Sequence, residues 1–455
     1  MARKEISRTE IFENMPVYKA ILTLAIPNVV NQLANVVYNI ADTIYIGRLN
    51  NSSMVAALTI TAPIVMILTA ISNIFCVGGC ALIASSIGAK NRKKAEDLAM
   101  LAPLMAGAFG LIMTLVTLVF SKPLAVYSGA SETSLPYALQ YQFWVITLNA
   151  VPALCSGTLG AVLRGRGYAR YEMYGITLGN ILNIILDPIF IFVFDMGVAG
   201  AASATFISSS TSFIFFIVIC RKMQKKEHLF TPVKELKLDF SDMWQIITTG
   251  FPAFLHTMLT SLINTTQMNL IKGYTDAAVA SLGIVRKIEH TFGQIIMGVS
   301  QGVIPLVSYN YAAKNYNRLS EIVKKTILLC CMWGVISFLI IFPFAEQFMR
   351  IFINDPATIS YGIPLVKMYA VFPIILNFNA NFRSFMQCMG YKKESTLYVL
   401  MRQLVFFLPS LLILNHFFGF YGACSAMIVG DIITDSIGSL IMRRVMRHAK
   451  EHCST

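Results

Sequence analysis

The feature that most limits this chain is a succession of long apolar runs. A helix needs roughly 20 apolar residues to cross a bilayer. Twelve such runs can be read, near 17–46, 54–87, 98–120, 138–160, 174–194, 199–221, 243–271, 278–308, 322–345, 359–386, 397–416 and 420–442. With 56% hydrophobic and only 13% charged residues, the chain lacks the charge to clothe a soluble surface. It is expected to be an all-α integral membrane protein of twelve transmembrane helices. The first, second, seventh, eighth and tenth runs exceed a minimal span and should tilt, bend or project.

The formal charge of +13 raises the question of nucleic acid, and the placement of the basic residues answers it. They cluster in alternate short connections instead of lining one amphipathic face, which is what membrane topology demands. The basic connections hold Arg3, Lys4 and Arg8; Lys90, Arg92, Lys93 and Lys94; Arg164, Arg166 and Arg170; and Arg221, Lys222, Lys225, Lys226, Lys234 and Lys237. The series continues with Lys314 and Arg318, Lys392 and Lys393, then Arg443, Arg444, Arg447 and Lys450; the intervening loops hold only Arg48, Lys122, Lys272 and Arg350. Both termini are therefore expected in the cytoplasm, with the chain multi-pass in the cell inner membrane. The first residues carry no h-region or cleavage site, so no signal peptide is expected. Nine cysteines form no CxxC. Those in apolar runs (Cys76, Cys80, Cys155, Cys330, Cys331) read as small hydrophobes, with no structural disulfide expected.

The chain repeats itself. Ile26-Pro27 answers to Phe251-Pro252, Gly88-Ala89-Lys90-Asn91 to Ala312-Ala313-Lys314-Asn315, Gly167-Tyr168 to Gly390-Tyr391, and the run from Gly197 to that from Gly419. Six helices per half start both halves on one side, giving parallel repeats about an axis along the membrane normal, a plan common among alternating-access transporters. The expected organisation is a cytoplasmic segment 1–16, an N-lobe 17–221, a charged linker 222–242, a C-lobe 243–442 and a cytoplasmic tail 443–455.

Charged and strongly polar groups in the hydrocarbon core carry the functional signal. Depth counting puts Asp42, Asp187 and Thr205, on three helices, at a common level roughly 10 Å below the outer face. Asn183 and Tyr38 each lie four residues before one of the acids and share its face. Pro188 and Pro27 leave carbonyls unpaired, and Pro252 repeats Pro27, so these are candidate bends. Two chemistries suit the cluster. Paired carboxylates in a poorly solvated pocket cannot both stay ionised cheaply, so one binds protons. Alternatively, Asp42, Asn183, Asp187 and Thr205 offer the oxygen shell that sodium prefers. The repeat matches Asp42 with Gln267, Asn183 with Phe406 and Asp187 with Ser410, so packing symmetry does not demand the acids.

Other intramembrane polar groups have blander readings. Arg286, Glu289 and His290 share a face and read as an internal ion pair ahead of a substrate site. Asp435 should lie at the depth of Arg402 and pair with it, which leaves Asp431 as a second candidate for ion binding. His256 reads as a hydrogen-bonded core histidine. The 23 methionines and many aromatic residues suit a cavity for hydrophobic cations and equally a lipid-facing surface.

Taken in order, Asp42-Thr43-Ile44-Tyr45-Ile46-Gly47, Gly88-Ala89-Lys90, Leu163-Arg164-Gly165-Arg166-Gly167, Asn183-x-x-x-Asp187-Pro188 and Gly197-Val198-x-Gly200-Ala201-Ala202 resemble the multidrug and toxic compound extrusion (MATE) family over nearly the whole chain, most of all its MepA-like branch. The resemblance implies two six-helix lobes in a V, exporting organic cations and drugs in exchange for H+ or Na+. It also implies an N-lobe coupling site on residues matching Asp42, Asn183, Asp187 and Thr205, with Tyr38 nearby. Branches with acids in the seventh and tenth helices are not matched, since those helices offer His256, Asn377 and Asn379. The expected partners are small organic cations and the lipid bilayer, without nucleic acid, for a monomer whose sole cofactor is the coupling ion. A lipid-linked oligosaccharide flippase of related architecture is the nearest rival. It would want a cationic cavity. An integral-membrane enzyme lacks an HExxH or nucleophile motif, and a channel lacks filter sequences.

Overall fold

The computed structural model describes residues 8–49, 51–236 and 239–451. Arg3, Lys4 and Lys237, of the basic series, lie outside them. The spanning helices are α1 Val17–Gly47, α2 Ser52–Gly88, α3 Arg92–Tyr127, α4 Leu135–Leu148 with Ala150–Gly165, α5 Ala169–Val193 and α6 Gly197–Glu227. They continue with α7 Phe240–Ile271, α8 Asp276–Ala312, α9 Tyr316–Ile341 and α10 Pro356–Tyr369 with Phe372–Cys388. The last apolar stretch, Lys392–Arg447, breaks where Gly419 takes φ 57° and ψ −139°, which separates α11 (392–418) from α12 (420–447). Twelve spans result among the described residues, which are helical throughout their ordered elements, and the chain is a multi-pass membrane protein.

The repeat is written in the backbone. Lys90 and Lys314 adopt φ 59° and 57°, Gly167 and Gly390 adopt 87° and 85°, and Gly197 and Gly419 adopt 54° and 57°. A left-handed turn at a lysine is uncommon, so its recurrence at matched positions reports a shared turn design. Caps recur as well. Asn91 accepts from Lys94 N–H and Asn315 from Arg318 N–H; Asn51 and Thr275 cap α2 and α8. Each cap satisfies a helix N-terminal donor and stabilises by about 1 kcal/mol.

Two compact units emerge. Val30–Met258 forms most of the first, and Phe12–Val29 with the chain from Leu259 forms the second. The expected lobes 17–221 and 243–442 differ from this at α1 and α7, each of which begins in one unit and ends in the other. Glycines explain the boundary. A Cβ on Gly302 of α8 would lie 2.6 Å from Ala25 Cα, and one on Gly298 would lie 2.7 Å from Val29 Cα. In the first unit a Cβ on Gly78 of α2 would meet Ile246 O at 2.4 Å, and one on Gly250 would meet Ile74 O at 2.1 Å. Backbone touches backbone at both places, a fit that only glycine permits.

The linker is shorter than 222–242, because α6 runs to Glu227 and α7 starts at Phe240. It is docked on the first unit: Arg166 donates to Leu229 O (2.6 Å), Thr231 donates to Asp97 (2.5 Å), and Lys94 pairs with Asp242 (2.9 Å). Arg164 is not a loop residue either. It is buried at the end of α4 and paired with Glu172 at 2.6 Å. The helices run on through Pro27 and Pro252, while the bends above 40° fall in α4 (43°) and α10 (48°). The eight described cysteines are free thiols.

Candidate functional site

Within the first unit, α1, α5 and α6 bring the expected residues to one place. Asp187 is fully buried and Asn183, one turn earlier, nearly so. Their spacing along α5 points both side chains at α6. The Asn183 amide satisfies its surroundings with its nitrogen donating to Asp187 Oδ2 at 3.0 Å and its oxygen accepting from Thr205 N–H at 3.1 Å. Thr205 Oγ1 donates to Ala201 O (3.1 Å). The Tyr38 hydroxyl lies against Thr205, within electrostatic reach of Asp42 and Asp187, and Asp42 acts electrostatically on Asp187.

Among the described residues, neither acid forms an ion pair. Asp187 Oδ1 is buried with no hydrogen-bond partner. An unanswered carboxylate oxygen in such surroundings costs a kcal/mol or more, about 1–3 for the desolvated group, unless a proton or cation meets it. Directly after Asp187-Pro188, α5 takes a π-helical turn over Ile189–Val193, a local widening that recurs at functional sites.

A cavity of about 220 Å³ adjoins this cluster, lined among others by Tyr38, Ser156, Asn180, Asn183, Thr205 and Ser209. It exists because its walls are small. Gly179 and Ser212 leave no room for a Cβ on the glycine, which would lie 2.2 Å from Ser212 Oγ. Sequence reasoning passed over Asn180, which donates to Asn35 at 2.7 Å, and Tyr141, which sits within reach of Tyr38 and both acids. Asn180 was findable, three residues before Asn183 on the same face. Tyr141 gave no signal, since nothing in its own run marks it.

The remaining candidates sort differently. Pro188 adjoins the cluster, whereas Pro27 and Pro252 are not among its residues. Arg286 pairs with Glu289 at 3.0 Å as expected and donates to Gln267 at 2.5 Å; His290 instead meets Gln294 at 2.6 Å. Asn377 joins α10 to α9 through Ile327 O and Cys331 Sγ. His256 is half-buried on α7. The Arg402 expectation is reversed: its guanidinium clamps Asp431 at 2.6 and 2.8 Å, so Asp431 is the structural partner, and Asp435 accepts from Tyr398 OH.

The MatE family profile matches residues 27–189 and 252–412, one stretch in each half of the repeat. The multidrug export protein MepA of Staphylococcus aureus is 29% identical over 95% of this chain and 94% of its own. Among solved structures, an outward-facing multidrug resistance MATE family transporter of the MOP superfamily superposes with a TM-score of 0.93 at 22% identity, covering 99% of this chain and 100% of that one. A MOP superfamily transporter from Pyrococcus furiosus, described as having a binding pocket of reversed polarity, gives 0.91 at 22% identity over 98% and 100%. Spans, repeat and profile agree: this chain belongs to the MatE family of transporters.

Proposed function

We propose that this protein is a secondary active exporter that exchanges organic cations for protons, with Asp187 and Asp42 as the proton-loading groups and the basic ends of its helices in the cytoplasm. The observation that carries this reading is buried Asp187 beside half-buried Asp42, neither with a basic partner among the described residues, and one Asp187 oxygen with no donor at all. Two carboxylates within electrostatic reach, in a pocket of low polarity, favour sharing a proton over double ionisation.

A proton needs a single oxygen, and Asp187 Oδ1 is the one left without a donor; a sodium ion needs several. The cavity beside the acids is lined by hydroxyls, amides and the rings of Tyr38 and Phe216, with no charged side chain, which suits an organic cation held by ring faces next to the acids. A lipid-phosphate cargo calls for arginines there, and the lining has none. Export then follows from exclusion: protons entering from outside neutralise the acids and displace the bound cation, and proton loss to the cytoplasm restores its site. A proton crossing 100 mV releases about 2.3 kcal/mol, enough for a substantial accumulation ratio.

Everted membrane vesicles carrying this protein test the reading, with pH and sodium gradients imposed separately and ethidium as the probe. A pH gradient alone should drive ethidium uptake. Uptake driven by sodium alone, with no response to pH, overturns the proton assignment.

A further inference from the structure

The second unit buries its own charges: Arg286 with Glu289, Arg402 with Asp431, and two that remain unmatched, Asp435 and Arg383. Asp435 lies one turn beyond Asp431 on α12. Its Oδ1 accepts a hydrogen bond from Tyr398 OH, and its Oδ2 is buried with no partner. Arg383 on α10 is 6% exposed, forms no ion pair among the described residues, and has an unpartnered Nε. The bidentate clamp on Asp431 consumes Arg402, so neither arginine answers Asp435 directly.

A carboxylate oxygen without a donor in a spanning helix marks a group that changes its charge state or its company. We propose that Asp435 is a second protonation site, one that loads and releases a proton of its own during the transport cycle. The ligand class follows from the neighbours. A metal ion needs several oxygen donors, and Asp435 offers one free oxygen beside a phenol and the Arg402 guanidinium, which repels cations. A proton needs a single oxygen. The O–H bond forms on Oδ2 with a proton delivered by water and breaks by return to water; Tyr398 keeps its own proton throughout. The groups that act on Asp435 come from its packed neighbours: Tyr398 and Arg402 on α11, and Asp431 on α12. Arg383 on α10 acts on Tyr398 and Arg402. Donation from Tyr398 favours the ionised acid, which lets the proton leave once water reaches it.

This inference rests on proton exchange as the coupling reaction. Its test is the slope of ethidium accumulation against imposed pH difference in proteoliposomes of the full chain. Each exchanged proton multiplies the attainable accumulation by about tenfold per pH unit. Asp435→Asn should still export ethidium with a slope lower by one proton, a tenfold smaller gain per unit. A slope equal to that of the natural chain overturns the proposal. Tyr398→Phe decides the matter if Asp435→Asn does not insert: loss of its hydrogen bond favours the protonated acid, so the pH profile of transport should move to higher pH, and an unmoved profile overturns the proposal. A natural chain without any response to pH points instead to failure of proton coupling as a whole.

Discussion

The two halves of this protein share a backbone and differ in what fills it. In the first unit Gly175 packs against Phe216, where an added Cβ would lie 2.3 Å from the ring; in the second Gly438 packs against Tyr398 at 2.5 Å. By the repeat, Gly175 answers to Tyr398 and Phe216 to Gly438, so large and small have changed places. Gly179 and Ser209, on the cavity wall, answer to Arg402 and Asp431, which fill the same positions with an ion pair. The acid site has its counterpart too. Asp42 answers to Gln267 and Thr205 to Met427, and both touch the guanidinium of Arg286, which also lies 5.4 Å over the Tyr369 ring. Where one half keeps carboxylates with no basic partner among the described residues, the other holds a cation that is covalently part of the chain. The two halves share the frame, and a few substitutions separate the acid cluster of one from the ion-paired strut of the other.

That contrast can be broken or sharpened by substitution. Among single substitutions, the largest effect on transport is expected at Asn183→Ala, which strips Asp187 Oδ2 of its donor. A hydrogen bond to a charged group contributes about 1.5–3 kcal/mol, so pH-driven ethidium efflux should fall by roughly tenfold or more. Ser410→Ala, at the position matching Asp187, should leave efflux within about twofold. Equal losses would erase the functional asymmetry.

Next comes the strut. Arg402→Ala leaves Asp431 buried and unpaired and should cost about 3–5 kcal/mol, read as a lowered melting temperature of the purified protein. Arg402→Met with Asp431→Leu should recover most of it, because the charges and their desolvation go together. A double variant as unstable as the single one would show that the pair does more than fill space. Gly175→Ala should cost about 1–3 kcal/mol by overpacking, and Phe216→Leu in the same chain should relieve it; additive losses would contradict the contact. The smallest effects belong to the caps. Asn91→Ala and Asn315→Ala should each cost about 1 kcal/mol. Here the halves should behave alike, since this part of the design is shared.

The sequence made the frame legible because spans, alternating basic loops and repeated turns all depend on local composition. Lys90 and Lys314, Gly167 and Gly390, Gly197 and Gly419 were matched by residue type and turned out matched in φ. The acid cluster was legible for a different reason: carboxylates inside long apolar runs are rare enough to stand out, and α-helical spacing settles which residues share their face. Rotation about the helix axis was not legible, and the partner of Arg402 shows why. Arg402 and Gln403 lie in a π-helical turn, Met401–Phe407, which widens the helix and shifts the register that residue counting assumes. Depth from the loop therefore gave Asp435 as the partner, and the bond goes to Asp431. Arg164 was misread because its motif looks like a loop, although Glu172, eight residues on, holds it inside. The cavity was invisible, since empty space is set by what four helices leave out.

The most direct test of the account is ethidium movement through the double variant Asp42→Asn/Asp187→Asn in proteoliposomes, followed with and without an imposed pH difference. With both carboxylates gone, ethidium should still equilibrate by exchange across the membrane while a pH difference no longer concentrates it. Undiminished pH-driven accumulation by that variant would contradict the claim that these two acids are where proton and cargo compete.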